Sequence, residues 1–137
     1  MLRHACWSAI ALIGLVASAG AQTPAAAGTW AGSTMIGPKD SVVATYVLMV
    51  APDGKSATMK FPNRDPIPAR IVAIGGDSIV TEAGPYPSVL RPGQTVKLLR
   101  NVAHVRGSKM SGTFEAQYND GSTVKGKTQA TRTTKSS

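Results

Sequence analysis

Few residues in this sequence have the chemistry to act as catalysts or metal ligands. His104 is the only histidine beyond residue 21. A zinc site needs several histidine, cysteine or carboxylate ligands, and a Ser-His-Asp arrangement needs a carboxylate that orients the histidine. The sequence places neither beside His104. We therefore expect His104 to be a polar strand residue flanked by Arg100 and Arg106, and we expect no metal site.

The carboxylates also give little sign of acid–base chemistry. Most aspartates fall in predicted turns, where aspartate caps its own backbone: Asp40, Asp53, Asp65, Asp77 and Asp120. Glu115 is predicted to face outward. Glu82 is the exception, because it shares a strand face with Ser78 and Val80. If that face is internal, Glu82 needs an arginine partner, either Arg70 or Arg100. A structural ion pair is the favoured interpretation, and we expect no enzyme activity and no cofactor.

Aromatic residues are too sparse for a platform on which nucleic-acid bases stack. They occur about one per predicted element: Trp30, Tyr46, Phe61, Tyr86, Phe114 and Tyr118. Tyr86 is unusual because it lies between Pro85 and Pro87 in a rigid loop, with Arg91 a few residues on. Its ring either contacts a ligand or partner, or covers one end of the fold.

The first 21 residues have the layout of a secretory signal peptide. A short basic start precedes an apolar run of residues 5–16, and small residues around Ala19 and Ala21 form cleavage sites. The run is shorter than the ~20 residues of a spanning helix. We expect cleavage after Ala21 and a secreted or periplasmic protein without a membrane span.

Cleavage would leave 116 of the 137 residues, remove Cys6, the only cysteine, and lower the net charge from +8 to +7 with the loss of Arg3. Thiol chemistry and zinc–thiolate sites are then excluded. The remaining basic residues are scattered, which favours solubility over a nucleic-acid-binding stripe.

Residues 75–93 give the clearest indication of fold class in the remaining chain. A short β-type run, 78–83, lies between two turn clusters dense in glycine and proline, which a helix cannot cross. Alternating residues predict strands at 29–36, 41–50, 56–61, 69–74, 78–83, 94–106, 111–118 and 123–133. Asp53-Gly54 and Asp120-Gly121 mark tight hairpins. The 41–50 run is apolar on both faces, which predicts cover on both or contact with a partner.

These elements predict an all-β domain, 29–133, folded as one antiparallel up-and-down barrel of about eight strands. The alternative is a two-sheet β-sandwich. Residues 22–28 are expected to be a flexible leader and 134–137 a frayed tail. In the 94–106 strand the alternation is blurred, so a β-bulge is expected there.

The two ends of this domain resemble the calycin superfamily of lipocalins and avidins. Gly28-Thr29-Trp30 matches its G-x-W motif, and Arg132 matches the arginine of its last strand. The resemblance implies a barrel whose base is closed by the guanidinium of Arg132 stacked on Trp30. The second lipocalin motif, the C-terminal helix and the tryptophans of a biotin site are absent.

The resulting hypothesis is a secreted, non-enzymatic module that binds a small apolar or amphipathic ligand in the barrel. The residues expected to line the site are Tyr46, Leu48, Met59, Phe61, Leu98, Phe114 and Tyr118, with Glu82 and Arg100 as polar anchors. An eight-stranded barrel can instead be filled by its own side chains. The alternative function is an envelope interaction protein or protease inhibitor that acts through loop 84–93, including Pro85, Tyr86, Pro87 and Arg91, or through the 42–50 strand.

Overall fold

The computed structural model describes residues 23–133, which form strands and turns without a helix. The predicted signal 1–21 and tail 134–137 lie outside the described residues. Within 23–133 no helix is long and apolar enough to cross a bilayer. The strands are β1 (Gly28–Ile36), β2 (Ser41–Val50), β3 (Ala57–Lys60), β4 (Ile67–Gly75), β5 (Ser78–Ala83), β6 (Tyr86–Pro87), β7 (Thr95–Arg106), β8 (Lys109–Tyr118) and β9 (Thr123–Arg132).

Eight of these strands close into an antiparallel up-and-down barrel, as the sequence predicted. Each strand pairs with the next around the ring, β5 pairs with β7, and β9 returns to β1. β6 is an extra strand of two residues that pairs with the start of β7. Because the ring has no free edge, the sandwich alternative is excluded.

Short turns join the strands where glycine allows a backbone that other residues avoid. Gly54 (φ 68°) and Gly121 (φ 87°) sit in the two predicted Asp-Gly turns. Their amides donate to the carbonyls of Ala51 and Tyr118 at 2.9 and 3.0 Å. Both predicted hairpins are confirmed.

Alternation predicted the inner face of β1 and β2 except at a bulge near the loop end. Trp30, Gly32 and Thr34 point inward opposite Leu48, Tyr46 and Ala44, as expected. The register then shifts between Thr34 and Met35, and Met35 is buried where alternation favoured Ile36. The same shift exposes Val42, although strict alternation would place it on the inner face with Tyr46 and Leu48.

A second bulge corrects the phase predicted for β7. The register shifts between Val96 and Leu98, so Leu99, Ala103 and Val105 are buried and Leu98 is not. The expected bulge is therefore confirmed, but it turns Leu98 away from the interior. Strict alternation of inward and outward residues cannot predict the position at which a bulge reverses that alternation.

Two apolar clusters fill the barrel, one near each end. Trp30, Val50, Ile79, Val105 and Met110 belong to the cluster at the tryptophan end. The cluster at the loop end consists of Met59, Phe61, Ala83, Tyr86, Val96, Leu99, Phe114, Ala116 and Tyr118. Residues of both clusters line a small cavity, which is described below.

The tryptophan end is closed by the chain that precedes β1. The indole Nε1 of Trp30 donates to the carbonyl of Ala26 at 2.9 Å, and the Arg132 guanidinium lies 4.3 Å from the ring centroid. The same guanidinium donates to the carbonyls of Ala25 and Ala27. Ala26 and Ala27 are buried, which differs from the flexible leader predicted for 22–28.

Two inward aromatic rings lie flat across a glycine on the neighbouring strand. Tyr46 faces Gly32 and Phe114 faces Gly126 in register. A Cβ added to Gly32 would come within 2.3 Å of the Tyr46 ring, and one added to Gly126 within 2.5 Å of Phe114. Glycine therefore makes the space in which each ring lies down over the barrel wall.

Candidate functional site

A small cavity lies in the barrel interior, toward the loop end. Its volume is about 50 Å³, which holds roughly three waters and is well below the ~300 Å³ of a small-molecule pocket. The barrel is therefore mostly filled by its own side chains. The wall is mainly apolar and includes Tyr46, Leu48, Met59, Phe61, Ile79, Leu99, Met110, Phe114 and Tyr118.

The polar groups of the cavity wall are uncharged. Thr34 and Thr128 are cross-strand neighbours on β1 and β9, and Thr81 faces Asn101 across β5 and β7. No charged side chain lines this cavity. Hydroxyl and amide groups can pair with a neutral polar group, whereas a charge would enter without a counterion.

Tyr46 connects the polar groups to the aromatic part of the wall. Burial raises the pKa of its phenol above 10.0, and a hydrogen bond with the Thr128 side chain opposes that rise. The phenol is therefore neutral at physiological pH. It can donate or accept one hydrogen bond at the cavity wall.

Residues 86–91 cover the loop end of the barrel; we call this segment the lid. Tyr86 is buried, and its ring centroid lies 5.9 Å from that of Phe61. Burial is the main cause that raises the pKa of the Tyr86 phenol; Tyr118 adds to the rise and Arg64 opposes it. Of the two readings of Tyr86, the structure therefore supports a ring that covers the barrel end.

Ser88 anchors the centre of the lid. Its hydroxyl oxygen accepts the amides of Leu90 and Arg91 at 3.1 and 3.0 Å and lies 2.8 Å from the phenol oxygen of Tyr118. The serine is buried at the cavity wall. Because two amides already occupy its oxygen, the arrangement fixes the loop and does not present a free nucleophile.

Two arginines fasten the lid, Arg64 from the β3–β4 loop and Arg91 from within the lid itself. The Arg64 guanidinium donates to the carbonyls of Pro87 and Ser88 at 2.7 and 3.2 Å. Arg91 stacks on Tyr118, 4.6 Å from the ring centroid, and donates to the Ser122 hydroxyl at 2.8 Å.

A surface carboxylate completes the Arg91 contact. The Ser122 hydroxyl and amide donate to Asp120, and these two hydrogen bonds lower the pKa of that carboxyl; Arg91 adds to the effect. Side-chain contacts thus add to the backbone pairing of β6 with β7 and to the hydrogen bond from the Ser88 amide to the Gln94 carbonyl at 2.9 Å. Of the predicted interaction loop, Pro85 and Pro87 are exposed, Tyr86 is buried and Arg91 is half-buried.

Six of the nine residues predicted to line a ligand site lie at the cavity wall. They are Tyr46, Leu48, Met59, Phe61, Phe114 and Tyr118. These six side chains meet inside the barrel because each occupies an inward position of its strand, away from the bulges. Their position is settled, while their role in binding stays a prediction.

Glu82, Arg100 and Leu98 do not reach the cavity. Ile79, Thr81 and Ala83 take the inward positions of β5, so Glu82 faces outward. There it stands in register between Arg70 and Arg100, the two partners that the sequence suggested. The prediction of internal polar anchors is wrong, because the strand face that Glu82 shares with Ser78 and Val80 is the outer one and Arg100 is exposed.

His104 lies exposed on β7, facing Ser78 and Ser111 across the sheet. No group of three or more histidine, cysteine, aspartate or glutamate residues within 23–133 has the geometry to hold a metal ion.

Sequence reasoning missed the neutral polar residues of the cavity wall. Alternation puts Thr34 in phase with Trp30 and Thr128 in phase with Arg132, but threonine in a strand has no distinctive chemistry. Thr81 and Asn101 became internal only through the observed strand phases. The sequence offered one indication of these groups, which is a polar residue at an inward strand position next to small residues.

No family model matches the chain, and neither a curated protein nor a solved structure matches it at a significant level. The class of protein is therefore defined by the fold alone, a closed eight-stranded antiparallel barrel.

Proposed function

We propose that this barrel is a non-enzymatic binding protein that holds a small, uncharged apolar or amphipathic ligand in its interior. The carrying observation is the cavity wall, where aromatic and aliphatic side chains surround a few neutral hydrogen-bonding groups. Such a composition is typical of small-molecule sites. The outward position of Glu82 and Arg100 removes the charged anchors considered first, which supports a neutral ligand.

Ligand entry requires the lid to move. The closed cavity of about 50 Å³ is too small for most ligands. Val89 and Leu90 belong both to the lid and to the cavity wall. Their withdrawal widens the site at the loop end, while the tryptophan end stays closed by the Trp30–Arg132 contact. Val89 and Leu90 lie beyond the β6–β7 pairing, so this part of the lid opens at lower free energy than the sheet it covers.

A calycin-like architecture and a location outside the cytoplasm are part of the same proposal. The stacked Trp30–Arg132 pair and the barrel closure support the first. The signal-like N-terminus supports the second, and mass spectrometry of the exported protein tests it by the expected start at Gln22.

Thermal-shift screening with matched neutral and charged compounds tests the function. An alcohol or amide is expected to raise the melting temperature, and the carboxylate of the same carbon skeleton is not. Screens in which only the charged members stabilise the protein would contradict the proposal. So would hydrolysis of model esters that is lost in Ser88→Ala.

A substitution that fills the cavity gives a sharper test of the same proposal. Ala44 lines the cavity on β2, so Ala44→Leu is expected to abolish the ligand-induced shift. Ala73, exposed on β4, supplies the control Ala73→Leu, which should keep the shift of the wild type. Equal effects of the two substitutions would place the ligand outside the barrel.

A further inference from the structure

Two neighbouring polar residues, Thr81 and Asn101, interrupt the apolar inner wall at mid-height in the barrel. Asn101 lies on β7 between Leu99 of the cluster at the loop end and Ala103 of the cluster at the tryptophan end. Thr81 faces it directly across the β5–β7 pairing. Both side chains line the cavity, with Thr81 buried and Asn101 half-buried. The pair therefore brings a hydroxyl and a carboxamide to one place on the cavity wall.

Neither side chain of this pair has a partner in the part of the chain that the structure describes. No side-chain hydrogen bond among residues 23–133 involves Thr81 or Asn101. Every fully enclosed side-chain nitrogen or oxygen in the same range does have a partner, so the polar atoms of the pair open onto the cavity. On β2 and β9, by contrast, Tyr46 and Thr128 hydrogen-bond to each other. The pair thus offers free hydrogen-bonding groups to whatever occupies the cavity.

The chemistry of Asn101 defines the group that fits it. A carboxamide presents an acceptor oxygen and a donor NH2 side by side in one plane. A partner with a donor next to an acceptor pairs with both atoms and leaves neither unpaired in the interior, where an unpaired polar group is unfavourable. Amides, lactams and ureas have this arrangement and carry no charge.

We propose that Asn101 selects the ligand of this cavity and binds an uncharged carboxamide group, with the Thr81 hydroxyl as a second contact; this role rests on the proposed function and narrows the ligand from neutral compounds to amides. A ketone offers only an acceptor and leaves the Asn101 oxygen unpaired. A carboxylate can pair with the Asn101 NH2 but enters without a counterion, because no charged side chain lines the cavity.

The height of the pair also sets the direction of the ligand. The tryptophan end is closed, so the apolar remainder of a ligand held at Asn101 extends toward the loop end. Phe61, Tyr86 and Phe114 provide aromatic surface there. The ligand is therefore an amide with an apolar or aromatic substituent, and the substituent lies under the lid.

Matched amides and methyl ketones test the proposal, because NH2 and CH3 groups have nearly the same size. The probes are benzamide with acetophenone, and isobutyramide with isopropyl methyl ketone. Dissociation constants come from the dependence of the melting temperature on ligand concentration. The wild type is expected to bind the amide of a pair roughly tenfold more tightly than the ketone, the effect of one additional neutral hydrogen bond in the interior.

Asn101→Leu keeps the approximate size of the side chain and removes both hydrogen-bonding atoms, so the preference for the amide is expected to vanish. The control is Thr34→Val, which removes a hydroxyl from the cavity wall on β1 and should keep the preference. Without ligand, Asn101→Leu is expected to melt at the same temperature as the wild type or higher, because it removes an unpaired polar group from the interior.

Three results would overturn the proposal and leave the proposed function intact. The first is equal affinity of the wild type for the amide and the ketone of each pair. The second is a preference for the amide that persists in Asn101→Leu or is lost equally in Thr34→Val. The third is a large drop in the melting temperature of unliganded Asn101→Leu, which would make the carboxamide a structural group. If no neutral compound binds the wild type, the proposed function fails, and the role of Asn101 fails with it.

Discussion

At the scale of single residues, Arg132 performs two tasks at the tryptophan end. Its guanidinium stacks on Trp30 and donates to the carbonyls of Ala25 and Ala27. A planar fork can do both at once, whereas an ammonium group cannot. The segment before β1 is held against the barrel by this one side chain together with the Trp30–Ala26 hydrogen bond.

Arg132→Ala is therefore expected to lower the free energy of unfolding by about 1–3 kcal/mol, from the lost stack and the two unpaired carbonyls. Arg132→Lys should fall between this variant and the wild type. Urea denaturation measures the effect. Arg106→Ala, at an exposed arginine at the end of β7, is the control and should stay within ~0.5 kcal/mol of the wild type. Equal stability of Arg132→Ala and Arg106→Ala would show that the stack does not stabilise the barrel.

Tyr86 makes the lid sensitive to alkaline pH. Burial raises the pKa of its phenol in the folded state, so the unfolded chain releases this proton first, near pH 10. Below that pH the contribution is fully present. As pH rises above it, the unfolded state binds fewer protons than the folded state, and stability falls.

We expect stability to decline above about pH 10, with a share from Tyr86 of up to ~1.4 kcal/mol per pH unit. Tyr86→Phe keeps the ring and removes the ionisable group, so its decline should be shallower. Denaturation curves between about pH 8 and pH 12 compare the two proteins. Identical pH dependence would mean that Tyr86 is not buried in solution.

At the scale of strands, charges alternate across the outer face of five neighbours. Register places Arg70, Glu82, Arg100, Glu115 and Lys125 in one row over β4, β5, β7, β8 and β9. The only direct ion pair among residues 23–133 is Lys127–Asp40, at 3.3 Å on the surface. The charges of this row therefore interact between neighbouring strands without forming direct ion pairs.

Glu82→Lys would place three cations side by side and is expected to destabilise the barrel by about 1–2 kcal/mol. Raised salt should recover part of the loss by screening. Asp65→Lys, in the exposed β3–β4 loop, changes the net charge equally and serves as control. A salt-independent loss, or the same loss in both variants, would show that the row has no role.

Strand positions were predictable from sequence wherever alternation was unbroken. β5 was predicted at its observed bounds, and Met59 and Phe61 are buried as expected. The failures cluster at bulges and turns. The shifts at Thr34/Met35 and Val96/Leu98 depend on how neighbouring strands coil, which one strand's sequence does not specify. β6 escaped prediction because proline and glycine in residues 84–93 suggested only a loop.

At the scale of the whole molecule, the barrel is a closed shell with distinct sides. One end is sealed by Trp30 and Arg132, the other is covered by the lid, and β1 and β2 contain no charged residue, unlike the strands on the opposite side. Closure was predictable from eight short strands and hairpin turns. Sequence left open whether side chains fill the interior, because the free volume depends on how Tyr46 and Phe114 lie across Gly32 and Gly126.

The central claim is that a neutral ligand binds inside the barrel, and methionine methyl NMR tests it most directly. Met59 and Met110 line the cavity, whereas Met49 lies on the outer wall. Titration with a neutral compound found by thermal shift, at a fixed low protein concentration, is predicted to move the Met59 and Met110 methyl signals saturably and to leave the Met49 signal in place. Movement of Met49 alone, or saturable stabilisation with all three signals unmoved, would contradict binding in the interior.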